Sequence, residues 1–198
     1  MLNKRSGVII LCGGNSSRMG FPKAFLPYRG KTFLECIIDE YSLISDEIIA
    51  VINAGAALDE GSSCIERIAH RCRVVLNHNP EYGKFYSLRI GVEKLISEFA
   101  FMQYADNPLV NVNVLDKLLL WRNAEGISVP ASGLIGGHPV LLSPPVLGKI
   151  RSAGNYDLHF KEFFSGFRKT YVEVADESVL VNINTPSDYR KHIASFPL

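Results

Sequence analysis

A short glycine-rich segment near the N-terminus carries the residue types that bind phosphate. It follows Leu11 and Cys12 and runs GGNSSRMG over residues 13–20. Paired glycines let the backbone approach a ligand closely, so that successive N–H groups can converge on phosphate oxygens. Arg18 adds a planar guanidinium and Lys23 a point charge, and both suit phosphate. Together these groups predict a loop that binds a polyphosphate.

The segment does not match either of two common phosphate-binding loops. A Walker A loop needs a lysine directly after its last glycine, whereas Gly20 is followed by Phe21 and Pro22. The dinucleotide fingerprint GxGxxG is absent because Gly13 and Gly14 are adjacent. Two interpretations remain from these residues alone: a phosphate loop of another type, or a polar turn with incidental basic residues.

The charge balance of the chain argues against large polyanionic partners. Its 198 residues include 21 Lys and Arg and 20 Asp and Glu, which gives a net charge of +1. Without a global positive field, neither nucleic acid nor an anionic membrane is an expected partner. The length suits one domain over residues 1–198, and the 47% hydrophobic content is enough for a core.

The cysteines and the apolar segments predict a soluble, cytoplasmic protein. The cysteines are widely spaced and form no CxxC pair (Cys12, Cys36, Cys64 and Cys72). This spacing favours reduced structural thiols over a disulfide or zinc framework. The N-terminal apolar run, Val8–Cys12, is too short for a signal peptide. No segment approaches the roughly 20 apolar residues that span a bilayer.

Short apolar runs alternate with longer amphipathic segments, which predicts an α/β fold. The runs lack period-two alternation, as expected for strands covered on both faces. The predicted strands are Val8–Cys12, Glu47–Ile52, Arg73–Leu76, Phe99–Ala105, Ile127–Pro130, Val140–Leu142 and Thr170–Val174. The predicted helices are Thr32–Leu43, Cys64–His70, Tyr86–Ser97, Val112–Trp121, Pro145–Arg151, Leu158–Phe164 and Pro186–Ala194. This order predicts a three-layer α/β/α domain around a mostly parallel sheet.

The helix predicted at Tyr86–Ser97 shows the clearest apolar face. That face consists of Leu88, Val92, Leu95 and Ile96. Ser87 is a candidate cap for this helix if the helix starts one residue later.

Five segments resemble, in order, the molybdenum-cofactor nucleotidyltransferases. They are LCGGNSSRMGFPKAFLPYRGKTFLE (11–35), NPEYGKFYSLRIGV (79–92), ADNPLV (105–110), GGHPVLLS (136–143) and VNINTPSDY (181–189). The resemblance covers roughly residues 7 to 190. It is closest to the cytidylyltransferase branch, which carries SLRxGV and GHPVL segments. It implies a Rossmann-like, glycosyltransferase-A-like nucleotidyltransferase fold.

The resemblance implies transfer of a nucleoside monophosphate from an NTP to a terminal phosphate on a small-molecule acceptor, with Mg²⁺ and release of pyrophosphate. Positioning and charge neutralisation dominate such catalysis. The implied catalytic residues are Arg18, Lys23 and Asp106. The implied nucleotide-binding residues are Leu11, Cys12, Gly13, Gly14, Ser16, Arg18, Lys23, Asn77 and Ser87. A transient contact with a molybdoenzyme maturation partner is also implied.

Asp106 follows the strand Phe99–Ala105, where the family places its metal-binding Asp. Carboxylate and amide oxygens are hard ligands of the kind that Mg²⁺ requires. Asn182 and Asn184 stand where many relatives have Asp, so uncharged oxygens replace carboxylates there. Asn184 is expected near the metal, and Asn182 and His138 are placed in the acceptor loop. Simple turn roles remain the alternative for Asp106 and Asn184.

Two features leave the base and the acceptor open. Gly13 matches the guanylyltransferase pattern AGG, whereas cytidylyltransferases commonly have AAG and the later segments look cytidylyl. The loop before Ser87 is short and has Lys84, Phe85 and Tyr86 where relatives have small residues. These rings either stack on a ligand or pack internally. Cytidylyl transfer to molybdopterin is favoured; guanylyl transfer, a sugar-phosphate-type nucleotidyltransferase and an inactive nucleotide-binding accessory protein are the alternatives.

Overall fold

The apolar runs of the sequence form the strands of one sheet in the computed structural model, which describes residues 6–13, 19–59, 61–154 and 158–192. Residues 14–18 of the predicted phosphate loop, which include the candidate site residues Gly14, Ser16 and Arg18, lie outside the described residues. Helices cover both faces of the sheet, so the predicted three-layer α/β/α arrangement is confirmed.

The strands and helices have the following bounds. The strands are β1 Ser6–Cys12, β2 Pro27–Tyr28, β3 Lys31–Thr32, β4 Ile48–Asn53, β5 Arg73–Asn77, β6 Phe99–Tyr104, β7 Ile127–Ser132, β8 Ile135–Gly136, β9 Val140–Leu142 and β10 Lys169–Glu173. The helices are α1 Phe33–Ser42, α2 Ala54–Asp59, α3 Ser62–Ile68, α4 Gly83–Val92, α5 Val112–Leu120, α6 Pro144–Ser152, α7 Phe160–Ser165 and α8 Pro186–His192. Short 3-10 helices occur at Lys23–Phe25, Pro80–Tyr82 and Glu177–Leu180.

The order of strands in the main sheet is β10-β7-β9-β6-β1-β4-β5, with β8 paired to β7. Strand β1 is parallel to both β4 and β6, and β7 is parallel to β10. Strand β9 runs antiparallel to β6 and β7. Because the other long strands pair in parallel, the predicted, mostly parallel sheet is confirmed. The chain moves outward from β1 through β4 to β5 and then returns to β6 on the other side of β1. Ligands of open α/β sheets bind at such a reversal, beyond the carboxyl ends of the strands.

Strand β1 contributes to a separate hydrophobic core on each face of the sheet. Val8 and Ile10 belong to the core that α1, α3 and α5 cover. Ile9 and Leu11 belong to the core that α4, α6 and α7 cover. Since both faces are dry, every position of the strand is apolar or small, which explains the continuous runs in the sequence.

Helix α4 differs from its prediction at both ends. It begins at Gly83 and ends at Val92, and Ile96 of the predicted apolar face is 86% exposed. The carboxylate of Glu47 accepts hydrogen bonds from the backbone N–H groups of Ile96 (2.7 Å) and Ser97 (2.8 Å), which fixes this segment in a non-helical conformation. Ser87 is not a cap: it lies inside the helix, where its hydroxyl donates to the Gly83 carbonyl at 3.2 Å.

The other predicted elements are confirmed, with boundaries that shift by no more than two residues. The sequence did not reveal α2, the β2–β3 hairpin or β8, which are all short. Position 194, where the last helix was predicted to end, lies outside the described residues. All four cysteines are free, as predicted. Within the described ranges, the helices are too short or too polar to traverse a bilayer.

Candidate active site

The neighbouring strands β1 and β6 bring Gly13 and Asp106 to the same end of the sheet. Gly13 directly follows β1, and Asp106 follows β6 after one residue. The backbone hydrogen bonding between β1 and β6 continues past the end of β6, where the Ala105 N–H donates to the Leu11 carbonyl at 3.2 Å. This end lies at the reversal in strand order, which is the expected position of a ligand site.

Lys23, Asp106 and Asn184 converge at this end of the sheet. The Lys23 Nζ donates to the Asn184 Oδ1 at 2.7 Å and lies 3.5 Å from the Asp106 Oδ2. The Ile183 N–H donates to the Asp106 carbonyl at 2.6 Å, which holds the C-terminal segment against β6. The structure therefore brings together three of the residues predicted from distant parts of the sequence.

A buried polar network holds the turn that contains Asp106. The Gln103 side chain is fully buried, and its Nε2 donates to the carbonyls of Tyr104 (2.9 Å) and Asn107 (2.8 Å). The Tyr41 hydroxyl donates to the Gln103 Oε1 at 3.1 Å. Gln103 was not predicted as a supporting residue, although a lone glutamine in the apolar strand FAFMQY is a signal for a buried hydrogen-bonding role.

A capping box at the start of α8 fixes the position of Asn184. The Asp188 carboxylate accepts from the N–H groups of Asn184 (2.9 Å) and Thr185 (2.8 Å). The Asp188 N–H in turn donates to the Thr185 hydroxyl at 3.1 Å. These bonds, the one from the Asn184 N–H first, lower the pKa of Asp188. The sequence analysis did not single out Asp188, although Thr185-Pro186-Ser187-Asp188 has the spacing of a capping box.

The second carboxylate oxygen of Asp106 suits a cation. The Asp106 Oδ1 is buried and has no hydrogen-bond partner among the described residues. Such an atom is costly unless a ligand satisfies it. The described ranges contain no cluster of three His, Cys, Asp or Glu residues that could hold a metal ion. Mg²⁺ needs no such cluster, because one or two protein oxygens suffice when phosphates and waters complete its shell. The Asp106 carboxylate therefore fits a magnesium ion, and the Asn184 Oδ1, which accepts from Lys23, has one lone pair left for the same ion.

Gly13 lies against a buried pair formed by Asn77 and Ser87. A Cβ at Gly13 would lie 3.0 Å from the Ser87 Oγ. The Asn77 Nδ2 donates to that hydroxyl at 3.0 Å, and the Asn77 Oδ1 accepts from the Asn79 N–H at 2.8 Å. Asn77 is fully buried and Ser87 is 5% exposed, so this pair shapes the floor under Gly13. Direct nucleotide contact by either side chain stays a prediction.

His138 lies in the loop before β9, close to the end of β6. Its backbone N–H donates to the Val179 carbonyl at 2.8 Å. Its ring packs edge-on against the Tyr104 ring, with the ring centroids 4.8 Å apart. The bond between His138 and Pro139 is cis. Asn182 donates from its Nδ2 to the Leu180 carbonyl at 3.4 Å, so its described contact lies outside the Lys23 group.

The two aromatic residues that follow Lys84, Phe85 and Tyr86, lie in different surroundings. Phe85 is 1% exposed and packs on Phe163 with ring centroids 4.8 Å apart. It is therefore a core residue, and internal packing is the correct alternative for this ring. Tyr86 meets Tyr82 edge-on at 5.2 Å at the surface of α4.

The lysine, carboxylate and amide lie beside the reversal in strand order, where α/β proteins of the open-sheet class bind their ligands. Solved nucleotidyltransferases share this fold over nearly the whole chain. Residues 8–169 match the MobA-like NTP transferase domain, and the chain belongs to that family. It is thus a nucleotidyltransferase of the glycosyltransferase-A-like fold, as predicted.

Two curated relatives differ in the nucleotide that their names imply. The chain is 29% identical to the molybdenum cofactor cytidylyltransferase of Escherichia coli over 183 residues, which are 91% of this chain and 92% of that protein. It is 28% identical over 129 residues to a "Probable molybdenum cofactor guanylyltransferase" of Methanosarcina acetivorans, covering 64% of this chain and 57% of that protein. Identity at this level leaves the base preference unresolved.

A solved relative shows that this fold can accommodate a divalent metal. A protein from Mycobacterium tuberculosis, solved in complex with manganese, is 21% identical to this chain with a TM-score of 0.72. The match covers 96% of this chain and 98% of that one. Nucleotidyltransferases of this family are typically metal-dependent.

Proposed function

We propose that this enzyme transfers a nucleoside monophosphate from an NTP, with CTP favoured, to the terminal phosphate of molybdopterin or a related molybdenum cofactor. The observation that carries the proposal is the convergence of Lys23, Asp106 and Asn184 next to Gly13 at the reversal in strand order. The names of the curated relatives, cytidylyltransferase and guanylyltransferase of the molybdenum cofactor, support this acceptor.

The chemistry is an in-line displacement at the α-phosphorus of the NTP. An oxygen of the acceptor phosphate forms the new P–O bond, the bond between the α-phosphorus and the bridging oxygen breaks, and pyrophosphate leaves with the electron pair. A phosphate monoester is already ionised near neutral pH, so the reaction needs no general base. His138 is therefore assigned to acceptor binding and not to proton abstraction.

The protein supplies position and positive charge. Gly13, with Gly14, Ser16 and Arg18 of the same loop, binds the triphosphate in this proposal. Lys23 and Arg18 neutralise the charge that grows on the leaving pyrophosphate, which is the largest catalytic term available to such a site. Asp106 and Asn184 hold Mg²⁺, which supplies further neutralisation of phosphate charge when bound.

A turnover assay tests the proposed function directly. The full chain is incubated with Mg²⁺, molybdopterin and each of the four NTPs in turn, and pyrophosphate release is measured. Pyrophosphate that depends on both molybdopterin and one NTP supports the proposal. Release that requires a sugar phosphate in place of molybdopterin would change the acceptor. Tight NTP binding without pyrophosphate from any acceptor would indicate a nucleotide-binding accessory protein.

Guanylyl transfer is the second candidate, and the position of Gly13 favours it. Relatives that use CTP commonly have Ala at this position, but a Cβ here would lie only 3.0 Å from the Ser87 Oγ. Ser87 is held by Asn77 and by the Gly83 carbonyl, so it has little freedom to move away. The floor of this site is therefore fitted to glycine, as in the guanylyltransferase pattern.

A further inference from the structure

Lys84, Tyr104 and His138 form a compact group, here called the 84–104–138 cluster, beside Asp106. The Lys84 Nζ lies 5.0 Å from the centre of the Tyr104 ring, and the His138 ring lies 4.8 Å from the same ring. The first turn of α4, the end of β6 and the loop before β9 each supply one of these side chains. Neither Lys84 nor Tyr104 takes part in the proposed transfer of the nucleoside monophosphate.

Two polar groups of the 84–104–138 cluster, the Lys84 ammonium and the His138 imidazole, can bind an anion. Among the described residues, Lys84 forms no ion pair with a carboxylate. In the same part of the chain, the buried Nδ1 of His138 has no hydrogen-bond partner. The Lys84 ammonium lies over the face of the Tyr104 ring in a cation–π contact, and the N–H groups that point away from the ring can donate to a ligand. The Asp106 carboxylate interacts electrostatically with Tyr104 and His138, so the cluster adjoins the residue around which the reacting phosphates would meet.

The protonation state of His138 matches the same type of ligand. Burial lowers the pKa of the imidazole, the charge of Lys84 lowers it further, and the Asp106 carboxylate opposes both effects. The imidazole is therefore neutral near pH 7, with one N–H donor and one acceptor nitrogen. A single ammonium and a neutral N–H donor together suit a phosphate oxyanion.

We propose that the 84–104–138 cluster binds the terminal phosphate of the acceptor, with Lys84 as its charge partner and His138 as a hydrogen-bond donor. This inference rests on the proposed function and names the subsite of its second substrate. The reaction must bring two anionic phosphate groups together at Asp106. Lys23 already lies against Asp106 and Asn184, and Arg18 and Mg²⁺ are assigned to the triphosphate, so a further cation on the acceptor side would neutralise the incoming phosphate. Lys84 supplies it in the segment that departs from the family pattern.

Two measurements on the full chain test this assignment. In steady-state assays with Mg²⁺ and molybdopterin, Lys84→Met should raise the KM for the acceptor by about 10- to 100-fold, the worth of one charge-assisted hydrogen bond. The KM for the NTP should stay the same. Lys94→Met removes an equal charge from an exposed position just beyond α4 and serves as the matched control; it should change neither constant.

The second measurement needs no turnover. Inorganic phosphate is titrated into the protein while the imidazole resonances are followed by NMR, and His138 is assigned by the signal that His138→Gln removes. The His138 signal should shift in the wild type and in Lys23→Met but not in Lys84→Met. A shift that persists in Lys84→Met, with its thermal unfolding midpoint unchanged, would overturn the proposal. A Lys84-dependent shift without pyrophosphate release from any NTP would preserve the phosphate subsite and refute only the proposed function.

Discussion

At the candidate active site, the Lys23 ammonium lies at different distances from the side-chain oxygens of Asn184 and Asp106. Its 2.7 Å contact goes to the uncharged amide of Asn184, and the contact to the Asp106 carboxylate is 3.5 Å long. The amide of Asn184 positions the lysine without adding a second carboxylate beside it. Asp at position 184, as in many relatives, would place two carboxylates at this ammonium.

Replacing Lys23 by alanine should lower kcat by a factor of roughly 10²–10³, because one transition-state donor is removed. The measurement is pyrophosphate release under saturating substrates. Lys31→Ala removes a lysine whose partner is Asp39 at the surface, and it should leave kcat unchanged. Equal rates for Lys23→Ala and the wild type would contradict the assignment of this lysine.

Replacing Asp106 by asparagine should reduce magnesium-dependent turnover by at least about 10²-fold, since the buried carboxylate oxygen that suits the cation loses its charge. The variant should fold normally, because the Asp106 Oδ1 has no hydrogen-bond partner to lose in the described part of the chain. A titration of Mg²⁺ against initial rate makes the comparison. Asp39→Asn, which removes a surface carboxylate, is the control; full activity in Asp106→Asn would exclude the metal role.

At the scale of secondary structure, capping boxes set where α1 and α8 begin. The Thr32 hydroxyl accepts from the Glu35 N–H at 3.3 Å at the start of α1, and the Glu35 carboxylate accepts from the Thr32 N–H at 2.9 Å. The Glu35 carboxylate also pairs with Arg67 on α3 at 2.7 Å. Thr185 and Asp188 form the equivalent box on α8. The α8 cap thereby connects local sequence to the position of Asn184.

The Glu35 cap predicts a pH dependence of stability. The hydrogen bond from Arg67 is the main cause that lowers the pKa of Glu35 from 4.5 to about 2. A lowered pKa in the folded state means that the carboxylate stabilises the protein above its unfolded-state pKa, and that this contribution is lost as the pH falls toward 2. Thermal unfolding midpoints of wild type and Glu35→Gln should therefore differ at pH 7 and converge at low pH. A difference that stays constant with pH would contradict this cause.

Removing the α8 cap with Asp188→Ala should lower kcat by about tenfold or more, as expected for a group that orients Asn184, the proposed metal ligand. The loss follows because the N–H groups of Asn184 and Thr185 lose their acceptor. Activity is measured beside Ser187→Ala, an exposed neighbour on the same helical turn. Asp188→Ala with wild-type kcat would show that Asn184 keeps its position without the cap.

The elements that could be predicted are those that local sequence determines. Buried strands such as β1 and β4 and amphipathic helices such as α1 follow from periodicity and are confirmed. The end of α4 could not be predicted, because the carboxylate that ends it belongs to Glu47, 49 residues before Ile96. The antiparallel direction of β9 is equally non-local, since it depends on pairing with β6 and β7.

For the whole molecule, nucleotide binding should be visible as increased stability. A ligand that binds only the native state stabilises it by about 2.7 kcal/mol at a concentration 100 times its Kd. With Mg²⁺ present, the preferred NTP should raise the thermal unfolding midpoint more than the other three do. CTP is the expected nucleotide and GTP the alternative. Equal shifts for all four would show that the base is not recognised.

Sequence motifs predicted the residues of the candidate site that belong to those motifs, but not the residues that support them. Lys23, Asp106 and Asn184 were identified and are brought together, although 161 residues separate the first from the last. The supporting residues Gln103 and Asp188 were missed, because their roles depend on which backbone groups the fold leaves without partners. The contact of Lys84 with Tyr104 joins α4 to β6 and is likewise visible only in three dimensions.

The hydrogen bond from the Ile183 N–H to the Asp106 carbonyl has a consequence for the order of events during biosynthesis. A ribosome releases β1, β6 and the lysine long before it has made residues 183–188. The growing chain can thus assemble most of its sheet while Lys23 still lacks its asparagine partner. The contact between Lys23 and Asn184 can form only after residues 183–188 have emerged and docked against the end of β6.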